Sequence, residues 1–517
     1  MARYKPVEYA QGQFVSISFE QQILPGSFEH ALNFIVDNKL DFTSLDAAHR
    51  NDEAGAPAYD PRVMLKIVLC AYARGILSSR EIAAACEQNV VMMALSANTR
   101  PHFTTIAQFI RELGPAAQRL FVDVLMYCDE LGLIGKEMFA FDGCKFPSNA
   151  SKEWSGTRAD FENKRQKFQA TIERHVAKHR LQDESGEPER VPGMRAREEK
   201  ALEVLKAKTA KIDAWLRENP DDRLGSRGTP VKSSMTDKDS AKMASSRGVI
   251  QGYNGLAAVD AKHQVIVGAE AFGKAHEAEV FACMTDHVRA NFNELGEADI
   301  YRKAKVTADS GFHTEESMKA LSDRNIDGYV PDKLFRRRDP AFKAAARHRS
   351  FKALIGRDGA EKKFFTANEF VFNPHNGKLT CPAGKELYTK HSNFWTGNGF
   401  YGKQYMAKKT DCRVCTLRSR CLRNDKVPAR TVFKVEGRGE GESFSKRMIR
   451  KVESELGRFL YGMRMGIVEP VFGNLRHMLG LDRFTLRGSE KVNVQWRLFA
   501  VVHNIHKLHR FGLAGAG

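Results

Sequence analysis

Two short apolar runs, far apart in the chain, each stop at an aspartate with a glycine close behind, and any fold for this chain has to accommodate both. Met138 to Phe146 reads MFAFDGCKF and breaks its apolar run at Asp142, while Ala304 to Ala308 (AKVTA) stops at Asp309 and continues Ser310-Gly311-Phe312. Runs of this kind read as short buried strands, each delivering one carboxylate to its carboxyl end. A third acid, Glu469 in IVEPVFGNLRHMLG, opens a helical pattern in which Val471, Phe472, Leu475, Met478 and Leu479 keep apolar spacing. Glu469 and Arg476 fall together on the opposite face, because seven residues make about two turns. Pro470 is tolerated in a first helical turn, so the helix is expected to start at or near Glu469. If the two strands lie parallel and adjacent with this helix across them, the three carboxylates converge at one sheet edge, where ligand sites of open α/β sheets lie.

Charge narrows the partner. Lys plus Arg number 81 against 63 Asp plus Glu in 517 residues, a net charge of +18 that favours an acidic polymer, nucleic acid first. A merely basic surface gives the same balance. The opening MARYKPVEYAQGQ has no apolar signal core, and the most apolar helix, Val63 to Tyr72, is interrupted by Lys66 and too short to span a bilayer. A cytoplasmic, nucleoid-associated protein with no membrane contact is expected.

Residues 1–130 read as all-helical, with start signals at Asp60-Pro61 and capping boxes at Ser78 to Glu81 and Thr105 to Gln108. Such a domain is a candidate for DNA binding or for plain helical packing. Residues 151–234 form a charge-dense insertion, two helical runs around the breaker DESGEPERVPG, in which Phe161, Phe168, Ile172 and Val176 are expected to face Leu202, Leu205, Ile212 and Leu216. Strands LAAVD and QVIVGAEAF follow, then a helix from about Ala275 to Asn291, the Asp309 strand, a helix from Glu315 to Asp323 and a strand at Gly328 to Val330. This mixed α/β order matches a ribonuclease H-like core over 131–332 and 444–517, interrupted by a basic insertion at 333–443. Trp496, Leu498, Phe499, Val502, Ile505 and Leu508 mark a last amphipathic helix that closes the core.

Three carboxylates from distant segments suit Mg²⁺ or Mn²⁺, and two such ions roughly 3.5–4 Å apart serve phosphodiester cleavage. Taken singly, each aspartate is more often a turn cap. In the basic insertion Cys381, Cys412, Cys415 and Cys421 form a Cys-x-x-Cys-centred group resembling a zinc ribbon, and four thiolates close a tetrahedral structural zinc site. Reduced thiols in a loop are the bland alternative. Cys70, Cys86, Cys128, Cys144 and Cys283 lack ligand spacing and read as buried small apolar residues.

The segments FAFDG, VTADSGF and YGMRMGIVEPVFGNLRHMLGLDRFTLRG resemble the three motifs of bacterial insertion-sequence transposases of the DDE class, and more narrowly the subgroup with a Tyr-Arg-Glu-Lys signature. Gly252-Tyr253-Asn254, Val259-Asp260 and YDPRVMLKIVLCAYARGILSSREI are similar to the same proteins, so the likeness covers almost the whole chain. The resemblance implies that Asp142, Asp309 and Glu469 are a metal-binding catalytic triad, with Tyr461, Arg464 and Arg476 as accessory DNA-binding residues. The gap from arginine to glutamate is one residue longer than the signature, and Arg476 stands in place of its lysine. The implied substrates are double-stranded DNA, terminal inverted repeats and target, bound by a homodimer. A DNA-binding protein that has lost transposition, or a ribonuclease H-like nuclease, are the alternatives.

Overall fold

The computed structural model describes residues 16–47, 57–185, 193–225, 228–245, 248–340, 354–355, 361–362, 364–395, 400–422, 427–438 and 443–512. They form two compact units: a larger one from the residues up to Phe312, Asn325–Gly328 and the residues from Gly462 on, and a smaller one from His313–Arg324 and Tyr329–Tyr461. The middle of the breaker, 186–192, lies outside the described residues.

The larger unit begins with helices α1 (Phe28–Asn38), α2 (Pro61–Ala73), α3 (Ser79–Gln88), α4 (Val90–Leu95), α5 (Phe103–Glu112) and α6 (Ala116–Glu130). Asp60 caps α2 as its sequence announces, accepting from Arg62 N with Pro61 in the first turn. The two capping boxes do not form. Ser78 makes no cap hydrogen bond, and α5 starts two residues before Thr105, where the His102 side chain takes the N–H of Thr104. Helices α7 (Arg158–Ser185) and α8 (Met194–Glu218) make the charged hairpin, with its cluster at Phe161, Ile212, Trp215 and Leu216.

The sheet of this unit contains β1 (Met138–Pro147), β2 (Ala241–Ser245), β3 (Gly248–Asp260), β4 (Ile266–Phe272), β5 (Lys305–Ala308) and β6, which starts at Gly328 and ends at Tyr329. Its order is β2-β3-β1-β5-β6, with β4 also on β3. Strands β1 and β5 are parallel, from Met138 opposite Lys305 to Phe141 opposite Ala308. β1 does not stop at Asp142, as its apolar run implied. The parallel pairing ends there, but β1 continues antiparallel to β3 as far as Pro147 opposite Gly252. A side chain at 252 would strike the carbonyl of Phe146, so the close approach requires glycine. The helix expected from Ala275 arrives as a 3-10 turn, Glu277–Glu279, followed by α9 (Phe281–Glu294), because Val280 at φ −118° interrupts helical geometry.

The smaller unit holds α10 (Glu315–Asp323) and an antiparallel sheet, β7 (Val371–Asn373), β8 (Lys378–Thr380), β9 (Glu386–Trp395), β10 (Phe400–Ala407) and β11 (Thr431–Arg438), in that order. Phe365, Phe370, Leu379, Leu387, Tyr405 and Val432 form its core. Helix α11 (Phe444–Glu453) follows, its first N–H groups held by the carboxylate of Glu315.

Helix α12 (Glu455–Gly473) carries the chain from Tyr461 in the smaller unit to Gly462 in the larger, and α13 (Ser489–Lys507) ends the fold. Glu469 does not start a helix: Pro470 lies inside α12. Proline lacks the N–H that the carbonyl of Gly466 would accept, and Gln264 Nε2 donates to that carbonyl instead at 2.9 Å. The following turn, Asn474–Met478, widens to π geometry, and Met478 is exposed rather than part of the apolar stripe. In α13 the amide of Asn504 bonds both N–H and C=O of Ile266, and Asn493 does the same at Ala271, so two asparagines occupy the free edge of β4. Among the described residues no helix is long and apolar enough to cross a membrane.

Candidate active site

The register of β1 and β5 decides where the acids stand. Phe141 and Ala308 are partners, so Asp142 and Asp309 leave the parallel pair side by side at its carboxyl end. Asp142 Oδ1 accepts from Gly143 N at 2.9 Å, and Asp309 accepts from Ser310 N. Arg464 Nη2, on a side chain almost wholly buried, lies 2.7 Å from Asp142 Oδ2. Burial raises the Asp142 carboxyl above its ordinary range; Arg464 opposes this and the charge of Asp309 adds to it.

A third carboxylate enters that the sequence did not single out. Glu277, in the 3-10 turn before α9, is raised by burial first and then by Asp142, with Lys145 opposing and Asp309 adding. No periodicity marks it in GKAHEAE; only the tertiary pairing of β1 with β5 brings its neighbours together. Arg476 sits in the widened turn, its Nη1 3.6 Å from Cys144 Sγ. A cleft of about 300 Å³ is lined by Gly143, Cys144, Lys145, Glu277 and Arg476 among others. Glu277, Lys145 and Arg476 thus share one cleft beside Gly143, the residue that follows Asp142.

Not every expected residue joins this group. Glu469 is exposed on α12 and has no hydrogen bond or ion pair among the described residues. Tyr461 belongs to the smaller unit, edge-on to Phe335 at 5.2 Å. Asp260 is a structural residue: its two oxygens accept from the N–H groups of Gly135, Lys136 and Lys262. Cys283 is exposed, contrary to the reading of it as a buried apolar residue.

In the smaller unit Cys381, Cys412, Cys415 and Cys421 line one small cavity with Phe365, Leu417 and Leu422. Gly384 at φ +73° folds the turn after Cys381 so that Lys385 N donates to Cys381 Sγ at 3.4 Å. Burial raises the Cys421 thiol, Arg430 opposing and the other three cysteines adding. Among the described residues no three or more His, Cys, Asp or Glu side chains are gathered at metal-holding spacing.

An acid pair at the end of two parallel strands, one acid ion-paired to Arg464, leaves the chemistry open. Comparison with known families narrows it. Residues 17–112 match a family model described as a transposase domain (DUF772), and residues 223–393 and 380–509 match two models each described as a transposase DDE domain. Asp309 lies in the first DDE match, and Glu469, Arg476 and the four clustered cysteines lie in the second. No curated protein matches the chain. The matched domains support an insertion-sequence transposase of the DDE class, an enzyme that acts on DNA.

Proposed function

We propose that this chain binds the terminal inverted repeats of its own insertion sequence and catalyses phosphodiester cleavage and strand transfer at those ends. The observation that carries the reading is the parallel register that sets Asp142 beside Asp309. In this reading 131–332 and 444–517 are a ribonuclease H-like core of the Tyr-Arg-Glu-Lys subgroup, 1–130 is a DNA-binding domain, 151–234 a charged helical arm and 333–443 a basic insertion.

Asp142 and Asp309 would hold Mg²⁺ or Mn²⁺, whose hard charge suits carboxylate oxygens, and Glu469, which is exposed on α12 and outside the acid pair in this structure, is proposed as the third ligand. The raised carboxyl of Asp142 supports the fit, since acids crowded in a buried place gain from a shared positive charge. Such ions, if held there by these carboxylates, would supply the Lewis acidity that phosphodiester cleavage and strand transfer need. Arg464 holds the Asp142 carboxylate in place, and Arg476 and Lys145 along the cleft offer cationic contacts to the DNA backbone. The four cysteines would close a structural Zn²⁺ site; their shared cavity and the N–H donated to Cys381 Sγ favour it, although the four thiols are not gathered at metal-holding spacing in this structure. Two copies would act together on two element ends, in the nucleoid.

Asp309→Asn keeps the shape and removes the charge. Cleavage of element-end DNA in Mg²⁺ is expected to fall by orders of magnitude, while gel-shift binding in chelator persists on the same folded preparation. Near wild-type cleavage by this variant would sink the assignment, and joint loss of folding, binding and cleavage would mark Asp309 as a turn cap.

A further inference from the structure

We propose that the solvent-facing side of β9, β10 and β11 is a stacking platform for the unpaired bases of single-stranded DNA, an inference that rests on the reading of the chain as an enzyme acting on DNA. Two irregularities in β9 make this face. Lys390 is the extra residue between the pairs Thr389–Tyr405 and His391–Gln404, and a second register shift falls between His391 and Phe394, which pairs with Gly402. A bulge re-aims the side chains that follow it. Tyr388, His391 and Phe394, three residues apart, therefore share one side of the sheet, where strict alternation would separate them. His391, Gln404 and Phe433 stand in one row across the three strands, with Tyr388, Met406 and Thr431 in the next. The opposite side carries Leu387, Tyr405 and Val432 of the core.

This face is aromatic and open. The Phe394 ring lies 6.0 Å from His391, stacked at 29°, and 5.7 Å from Phe433, edge-on at 67°. His391 is exposed, Phe433 is half-buried and Tyr388 is 44% exposed. Rings standing on an open sheet accept the flat faces of bases, and the Gln404 amide between His391 and Phe433 offers a donor and an acceptor to a base edge. Charge decides the polymer. Residues 333–443 hold 25 Lys and Arg against 10 Asp and Glu, so a surplus of 15 out of the chain's +18 lies in this insertion. The acids of the three strands, Glu386 and Glu436, are ion-paired to Lys378 and Lys403, while Lys390 and Lys408 are exposed. A duplex keeps its bases stacked on one another, so only an unpaired strand uses the rings while the lysines meet its phosphates.

The test uses the full chain in chelator, so that no cleavage intervenes, and two fluorescent probes read by anisotropy: an oligothymidylate of about 16 nucleotides and a mixed-sequence duplex of the same length. His391→Ala with Phe433→Ala is expected to weaken oligothymidylate binding by at least about tenfold while duplex binding stays within about twofold of the wild type. Phe433 is half-buried, so a change at an exposed ring accompanies it: Tyr388→Ala is expected to weaken oligothymidylate binding by about fivefold with an unchanged thermal midpoint. The unmutated chain gives a third readout, because iodouracil placed in the single strand should photocrosslink to Tyr388, His391 or Phe433, mapped by mass spectrometry of the digested complex. Equal losses on both probes, unchanged single-strand binding in the variants, or cross-links confined to other segments would each overturn the platform. All of these outcomes leave the acid pair standing, since cleavage by Asp309→Asn is a separate measurement.

Discussion

His503 shows how much a single buried side chain commits the fold to one protonation state. Its Nε2 meets the carbonyl of Gln264 at 2.9 Å and its Nδ1 meets the amide of Asn474 at 3.0 Å, which requires a neutral ring donating from Nε2 and accepting at Nδ1. Burial pushes its pKa down to about 3, and burial likewise pushes His287 and His506 down to about 4. A depressed folded pKa means that the unfolded chain binds the proton first. The stability these rings contribute is present above the ordinary histidine value near 6.5 and is lost as pH falls toward the folded values. Unfolding free energy should therefore fall between about pH 6.5 and about pH 4. His503→Gln should cost about 1–2 kcal/mol at neutral pH and progressively less on acidification. Urea denaturation of both proteins at about pH 7 and about pH 5 checks this; an equal gap at both would show that His503 does not titrate with unfolding. None of this was legible in the sequence, where a histidine in an apolar helix face carries no sign of its partners. Asp142 and Asp309 were legible, because each ends an apolar run. Glu277 was not, because only the tertiary pairing of β1 with β5 brings the two aspartates to it.

At the scale of elements, what the sequence announced depends on how local the cause is. The cap at Asp60 formed because capping side chain and proline act within one turn. The box at Thr105 failed because His102 reached the exposed N–H groups first and moved the helix start. Pro470 was read as a helix start, yet the helix passes through it because Gln264, in the β3–β4 turn, supplies the donor that proline lacks. The antiparallel sheet β7–β11 escaped notice since its strands are short or interrupted by turns and register shifts. The cysteine turn within that unit leads to a prediction of its own. Purified without chelator, the chain should carry one zinc, and Cys412→Ser with Cys415→Ser should lose it together with folding stability of the smaller unit, since structural zinc binding contributes to folding free energy. Metal analysis that finds no zinc in the native chain would rule the site out.

For the whole molecule, charge and fold point to the same partner. A net charge of +18 on a chain whose segments match transposase-domain models should make DNA binding strongly dependent on salt. Each phosphate neutralised is expected to contribute roughly 0.9 to the log–log slope of affinity against salt. Filter binding of element-end DNA over a salt series measures it, and a flat dependence would contradict a backbone-led interface. The two asparagines that α13 lays along β4 bear on assembly as well. Strands left bare at a sheet's margin invite another chain to extend the sheet, the route by which many proteins pair or polymerise. At Ile266 and Ala271 that invitation is withdrawn, because the N–H and C=O groups an incoming strand would seek are already bonded within the chain. Any extension of this sheet by another chain has to find a margin other than β4.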